Sequence, residues 1–223
     1  MKNYKRIIAL LLALITALMI PVCCFAEEAA TADVAEEPAP RRTGKVATLY
    51  LNVSNANPKY PHCWLYFVNE TDEPIQVGYY TVPAGDSVSV GNFRDRGNGS
   101  GIYYNLERYW VKEATYGRTF SMSTSVSAGE LRVASALMKH MNHWDWVFNN
   151  CSGFATTIWN ICSPRKILHI GFPQVTRVEM ILWGARRMNY TCDKLYNASR
   201  VYKQVDDGLQ VVYPSVVYTK TGV

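Results

Sequence analysis

The sequence predicts an α+β domain in which helices pack on a small antiparallel sheet. The part of the chain after residue 44 is first rich in strand-forming segments, and residues 62–69, an aromatic and β-branched run, give the clearest strand signal. The chain then becomes helical, because Phe154, Ala155, Ile158 and Trp159 recur at helical spacing. Strands followed by helices favour an antiparallel sheet that is covered by helices.

Local signals place the individual elements. A turn at residues 70–74 separates the strand at residues 62–69 from a second strand at residues 75–82, so the two are expected to form a hairpin. Ser127 and Glu130 form a capping box that begins a helix running to the region of Met141. The other predicted elements are strands at residues 45–54, 87–90 and 209–218, a short helix at residues 102–110, and a helix at residues 174–187 that follows Pro173.

The N-terminal residues have the pattern of an export signal. A basic start is followed by an apolar stretch at residues 7–22 and by Ala26, a small residue of the kind that precedes signal cleavage. We therefore expect residues 1–26 to be a signal peptide and residues 27–44, rich in Ala, Glu and Pro, to be a flexible linker. Residues 45–223 then form one domain, which is expected to be secreted into the cell envelope with no further membrane span.

Charge and cysteine usage exclude several classes of protein. The formal net charge of +5 includes the basic residues of the signal segment, and no long basic run suggests a nucleic-acid partner. Export leaves four cysteines, none at the Cys-x-x-Cys spacing of zinc or redox sites, so no metal or organic cofactor is implied. A disulfide between Cys162 and Cys192 is one option, whereas a second bridge would consume Cys151.

Cys151 is the candidate nucleophile. Asn150 is a good N-cap, so Cys151 is expected in the first turn of a helix, where backbone N–H groups and the helix dipole stabilise a thiolate. The same N–H groups are suited to hold an oxyanion. The alternative is a small buried hydrophobic residue beside a helix cap.

His62 is the candidate base among four histidines. It begins the strand at residues 62–69, and strand alternation directs His62 and Cys63 to opposite faces. A cysteine partner of His62 must therefore lie on a different element. We expect structural roles for the others, which are His140, His143 and His169.

A histidine on a strand that precedes a cysteine at a helix start resembles the circularly permuted branch of the papain-like and NlpC-type thiol hydrolases, whose relatives include lecithin retinol acyltransferase. The matching segments are the strand from His62 to Phe67 and the helix start from Asn150 to Ala155. The resemblance implies a permuted papain-like fold and a cysteine–histidine acyl-enzyme mechanism. Pro61 departs from the glycine that is usual in the family.

In that family a third polar residue orients the histidine from the strand that follows it. Gln76 falls at this place, and its neutral amide oxygen suits the Nδ1 proton of His62. Asn69, Tyr79 and Tyr80 are the alternatives, and a histidine is the commoner residue of the family.

The sequence thus predicts a secreted cysteine hydrolase that cleaves amide bonds, with the stem peptides of cell-wall peptidoglycan as the expected substrate. Other peptides, or lipid acyl groups as in acyltransferase and thioesterase relatives, are the alternative substrates. A domain that has kept the fold but binds without catalysis is the alternative class. The sequence does not predict an oligomeric state.

Overall fold

The computed structural model describes residues 44–54, 61–95, 97–107, 118–168, 171–187 and 200–213, and it confirms the α+β class. The predicted signal peptide and linker, together with His169 and Cys192, lie outside the described residues. The strands are β1 (Lys45–Ser54), β2 (His62–Asn69), β3 (Ile75–Val77), β4 (Tyr80–Val82), β5 (Ser87–Asp95), β6 (Gly99–Tyr104), β7 (Phe120–Ser127), β8 (Arg186–Arg187), β9 (Val201–Val205) and β10 (Gly208–Val212). The helices are α1 (Ala128–His140), α2 (Cys151–Cys162) and α3 (Pro173–Leu182).

The main sheet is larger than the small sheet that the sequence predicts. It has eight strands in the order β10-β9-β6-β5-β2-β1-β7-β8, and its pairings are antiparallel. β1 and β2 are neighbours near the middle of the sheet and run in continuous register from Ser54 opposite His62 to Ala47 opposite Asn69. This register places His62 at one end of β2 and Asn69 at the other.

The predicted hairpin between residues 62–69 and 75–82 is wrong. β2 pairs with β1 and β5, whereas residues 75–82 fold back on themselves as β3 and β4, a separate two-stranded sheet. Gly78, at a φ of 58°, lies in the turn between β3 and β4, and only glycine adopts this conformation readily. The chain therefore reverses at Gly78 instead of continuing beside β2.

Two predicted helices also differ from the structure. Residues 102–104 belong to β6, where they pair with β5, while residues 108–110 lie outside the described part of the chain. The helix predicted at residues 174–187 ends at Leu182, because Gly184, at a φ of 81°, turns the chain so that Arg186–Arg187 pairs with β7. The predicted N-terminus of α1 is confirmed, and its capping box between Ser127 and Glu130 is complete.

All three helices contribute to a core on one face of the main sheet. Alternate residues of β1 and β2, such as Leu49, Leu51 and Leu65, pack there against Phe154 and Ile158 of α2. α2 is the most deeply buried helix, since nine of its twelve residues are buried. Its N-terminus is thereby held against the sheet.

Separate from this core, the structure has a second, smaller cluster of buried residues. Trp64, Phe93, Tyr103 and Cys151 are among the residues of this cluster. The described helices are too short or too polar for any of them to cross a membrane.

Candidate active site

The first turn of α2 is held by an asparagine cap, as predicted. The Asn150 side-chain oxygen accepts hydrogen bonds from the N–H groups of Ser152 and Gly153, at 2.9 and 3.0 Å. Its amide nitrogen donates to the carbonyl oxygens of Trp146 and Gly171. The cap therefore joins the helix start to both of the segments that flank it, and this fixes the position of Cys151.

The Cys151 thiol lies against the beginning of β2. It accepts a hydrogen bond from the backbone N–H of Cys63, the residue that directly follows His62. The described ladder between β2 and β5 covers Leu65–Val68, so Cys63 lies beyond it and its N–H is directed to the thiol. The backbone N–H groups of Ser152 and of Cys151 itself also favour the thiolate, although the Ser152 N–H donates its hydrogen bond to Asn150. Three backbone N–H groups thus act on the pKa of one thiol.

His62 lies at the same end of the sheet as Cys151. Its half-buried ring makes an edge contact with Phe93, with ring centroids 5.9 Å apart. Phe93 and Cys151 belong to the same buried cluster, and Cys63, the neighbour of His62, bonds the Cys151 thiol. The structure therefore brings the two predicted catalytic residues into one small region.

Burial keeps both groups neutral at physiological pH. It lowers the pKa of His62 from 6.5 to about 4. Burial also raises the pKa of the Cys151 thiol to about 11, against the opposing effect of the N–H groups of Cys63, Ser152 and Cys151. The resting site is thus a neutral thiol beside a neutral imidazole, instead of the thiolate that the helix start alone predicts.

A layer of hydroxyl and thiol groups lies beneath Cys151. The hydroxyls of Ser152 and Thr176 are 2.5 Å apart, and both interact with the thiol of Cys63. Burial, with the nearby Cys151 as a second cause, raises the pKa of Cys63 well above its ordinary value. This layer ties α2, α3 and β2 together directly behind the candidate nucleophile.

Asn92 and Asn149 hold the loop that leads into α2. The Asn92 amide donates to the carbonyls of His143 and Asn149, at 2.7 and 2.8 Å, while the Asn149 amide donates to those of Met141 and His143. These contacts attach the loop to β5. Sequence reasoning missed Asn92, Ser152 and Thr176, because only the packing of distant segments reveals them; the one local signal was the polar Asn149–Asn150 pair.

Gln76 lies in the β3–β4 sheet, and its contacts there are local. Its amide oxygen accepts from the Thr81 hydroxyl at 3.0 Å, and its nitrogen donates to the carbonyl of Gly78 at 3.1 Å. It lines a groove of about 450 Å³ between β3 and α1, which does not include Cys151 or His62. No described contact supports the predicted role of Gln76 in orienting His62.

The three alternatives to Gln76 also have other partners. Asn69, at the far end of β2 from His62, closes the loop at residues 70–74 through Thr71 and Glu73. The Tyr79 hydroxyl donates to the carbonyl of Asp206, and the Tyr80 ring stacks on Tyr104.

The two other described histidines have separate surroundings, and the described cysteines form no disulfide. His140 ends α1, and the exposed His143 lies 3.9 Å from the Asp145 carboxylate. Cys63, Cys151 and Cys162 are free thiols, and Cys192, the predicted partner of Cys162, lies outside the described residues. Among the described residues, no group of three or more His, Cys, Asp or Glu side chains is arranged to hold a metal ion.

Comparisons of this chain with protein-family models, with curated proteins and with solved structures gave no match.

Proposed function

We propose that the protein is an exported cysteine hydrolase on a circularly permuted papain-like fold, with Cys151 as the nucleophile and His62 as the base. One observation carries the proposal: the Cys151 thiol, at a capped helix start, accepts a hydrogen bond from the backbone N–H next to His62. A candidate nucleophile and a candidate base held on two rigid elements at one end of the sheet support this proposal, because acyl transfer requires the two groups close together.

The neutral resting pair favours a mechanism in which the proton moves during attack. His62 removes the thiol proton as the Cys151 sulfur forms a bond to the carbonyl carbon of an amide. The backbone N–H groups of Cys63 and Cys151 hold the carbonyl oxygen as it gains negative charge. His62 then gives the proton to the leaving amine as the C–N bond breaks, and water hydrolyses the thioester.

Stem-peptide amides of peptidoglycan are the proposed substrate. The predicted signal peptide and linker support this choice, as does the resemblance to cell-wall hydrolases. The test incubates the mature protein with purified sacculi and analyses the released fragments. We expect cleavage by the wild type, none by Cys151→Ala, and unchanged cleavage by Cys162→Ala, which removes a buried thiol from the other end of the same helix. Intact muropeptides between pH 5 and 8 would exclude this substrate.

A domain that binds without catalysis is the second candidate, and the raised pKa of Cys151 favours it. A fully buried neutral thiol behaves as a small hydrophobic residue. Turnover of any amide or ester that depends on both Cys151 and His62 would exclude this candidate. Ligand binding that survives Cys151→Ala, without turnover of any substrate by the wild type, would establish it.

A further inference from the structure

An apolar surface is exposed beside the candidate active site. It begins in the loop before Cys151, where Trp146 and Phe148 are 70% and 67% exposed, and it continues to Phe172, which is 52% exposed. It then follows the outer side of α3 to Leu182, which is 80% exposed, and to Trp183. We call this set of residues the apolar rim. Exposed aromatic and aliphatic side chains of this number indicate an interaction surface.

The two parts of the apolar rim are fixed side by side. The Asn150 side chain donates to the carbonyls of both Trp146 and Gly171. Gly171 has a φ of 68°, and a Cβ atom placed there would lie 1.7 Å from the Val147 carbonyl oxygen. The loop and the start of α3 are thus in close contact, so the apolar rim is held by the framework that also positions Cys151.

The outer side of α3 is apolar at helical spacing. Val175, Val178 and Leu182 lie on one side, with Val178 and Leu182 exposed, while Thr176 and Met180 on the other side are buried. Trp183 directly follows the helix. An exposed apolar stripe that ends in tryptophan is typical of helices that lie in the plane of a membrane interface.

Charges near the apolar rim are mainly positive. Between residues 163 and 185 the described part of the chain has three basic residues, Arg165, Lys166 and Arg177, and one acidic residue, Glu179, whose carboxylate accepts from the N–H of Leu168. Arg165 and Lys166 are exposed. In the aromatic loop, Asp145 accepts from the N–H groups of Val147, Phe148 and Asn149 and so is used within the loop.

An arginine accompanies the tryptophans of the same loop. The exposed Arg94 guanidinium lies 5.7 and 5.4 Å from the ring centroids of Trp144 and Trp146. A guanidinium over an indole ring combines an apolar platform with a positive charge. The surface therefore complements a partner that is both apolar and negatively charged.

We propose that the apolar rim binds the surface of a phospholipid bilayer that contains anionic lipids. Tryptophan and phenylalanine side chains enter the boundary between headgroups and acyl chains, while arginine and lysine attract the anionic headgroups. The bilayer would then lie next to the loop that leads into Cys151. This inference goes beyond the proposed function and does not depend on catalysis.

Vesicle sedimentation tests the proposal with the mature protein. We expect the wild type to co-sediment with vesicles of phosphatidylglycerol and phosphatidylcholine, and to bind at least tenfold more weakly to phosphatidylcholine alone. The double variant Trp146→Ser/Phe148→Ser should lose at least tenfold in affinity. The matched control is Val133→Ser, which changes a 53% exposed residue of α1 outside the apolar rim. Its binding should equal that of the wild type.

A second variant tests the electrostatic part. Arg165→Gln/Lys166→Gln should weaken binding to anionic vesicles by roughly fivefold for each charge removed and should leave the weak binding to phosphatidylcholine unchanged. Cys151→Ala should bind like the wild type, which separates this proposal from the proposed function. Circular dichroism and the thermal midpoint check that each variant is folded.

Three outcomes would overturn the proposal. The first is absence of wild-type binding to anionic vesicles, and the second is equal loss of binding in Val133→Ser. The third is a wild-type dimer in solution that Trp146→Ser/Phe148→Ser converts to a monomer without any change in vesicle binding, because the apolar rim would then be a contact with a second copy.

Discussion

At the scale of single residues, the chemistry of the candidate site depends on two opposing effects on the Cys151 thiol. Burial disfavours the thiolate, whereas the backbone N–H groups of Cys63, Ser152 and Cys151 favour it. Burial is the larger effect, because the pKa rises to about 11. A neutral thiol resists oxidation and alkylation until a substrate or a rearrangement places a base to remove its proton.

The first prediction concerns the pH dependence of Cys151 alkylation. Since the thiolate is the reactive form, the rate of reaction with iodoacetamide should increase about tenfold for each pH unit up to about pH 11. Peptide mass spectrometry follows Cys151 and, as a control on the same helix, Cys162, whose pKa burial raises to about 12. A rate for Cys151 that is already constant from pH 6 to pH 8 would show a preformed thiolate and contradict this expectation.

The second prediction concerns His62 and stability in acid. The pKa of His62 is about 4 in the folded protein and 6.5 when unfolded, so between these values the unfolded chain binds a proton that the folded protein does not. The free energy of unfolding should therefore be highest above pH 6.5 and fall as the pH decreases towards 4. The loss is roughly 1 to 3 kcal/mol for this half-buried side chain.

The measurement for His62 compares urea unfolding of the wild type and His62→Gln at several pH values. Carboxyl groups titrate in both proteins, so the difference between the two isolates His62. We expect the variant to lose less stability than the wild type between pH 6.5 and pH 4. Parallel curves for the two proteins would mean that His62 is protonated as readily in the folded state as in the unfolded state.

At the scale of elements, the start of α2 decides where the thiol lies. Asn150 caps the helix and also bonds the loop before it and the segment before α3. Ser127 caps α1 by the same kind of side-chain contact but has no such additional links to distant segments among the described bonds. The two caps therefore form a matched pair for experiment.

The third prediction compares Asn150→Ala with Ser127→Ala. Ser127→Ala should cost about 1 kcal/mol of stability, the usual value for an N-cap. Asn150→Ala should cost about 1 to 3 kcal/mol more, because the buried carbonyl of Gly171 and the partly buried carbonyl of Trp146 also lose their partner. Asn150→Ala should also lower any Cys151-dependent turnover, whereas Ser127→Ala should not. Equal costs in urea unfolding would show that the additional bonds of Asn150 contribute nothing.

Elements whose signals are local could be predicted from the sequence, and elements set by distant pairing could not. Asn150 and the Ser127 capping box act within one helical turn, so the starts of α2 and α1 could be predicted. β7 has the sequence Phe-Ser-Met-Ser-Thr-Ser-Val-Ser, whose small polar residues give a weak strand signal; its pairing with β1 reveals it. The β3–β4 sheet depends on the reversal at Gly78.

The same distinction applies to the candidate site. Cys151 and His62 could be chosen from the sequence because a helix cap and an aromatic strand mark them. Cys63, Ser152 and Thr176 meet only when β2, α2 and α3 pack, and nothing local marks that contact. The prediction for Gln76 rests on a hairpin between β2 and residues 75–82, whereas β2 pairs with β1 and β5 and Gln76 pairs within the β3–β4 sheet.

At the scale of the whole molecule, the main sheet has two different faces. One face carries the helices and the larger apolar core. The other face carries Trp64 and Tyr66, and on this side the carboxylate of Glu107 accepts from both Nε and Nη2 of Arg118. The Arg118 guanidinium lies 4.3 Å from the centroid of the Tyr66 ring. A buried ion pair thus connects the chain after β6 to the chain before β7.

The last prediction concerns this ion pair. Each side chain is only 1% exposed, so Arg118→Met leaves the Glu107 carboxylate buried without its cation, and we expect a cost of about 3 to 5 kcal/mol. The double variant Glu107→Gln/Arg118→Met removes both charges and should be more stable than Arg118→Met alone. Lys45 and Glu70 form an exposed pair at 3.4 Å, so Lys45→Met is the control and should cost less than about 1 kcal/mol. Urea unfolding at pH 7 measures the stability of all three variants. A double variant as unstable as Arg118→Met would show that Arg118 stabilises the fold by packing against Tyr66 and not by charge pairing.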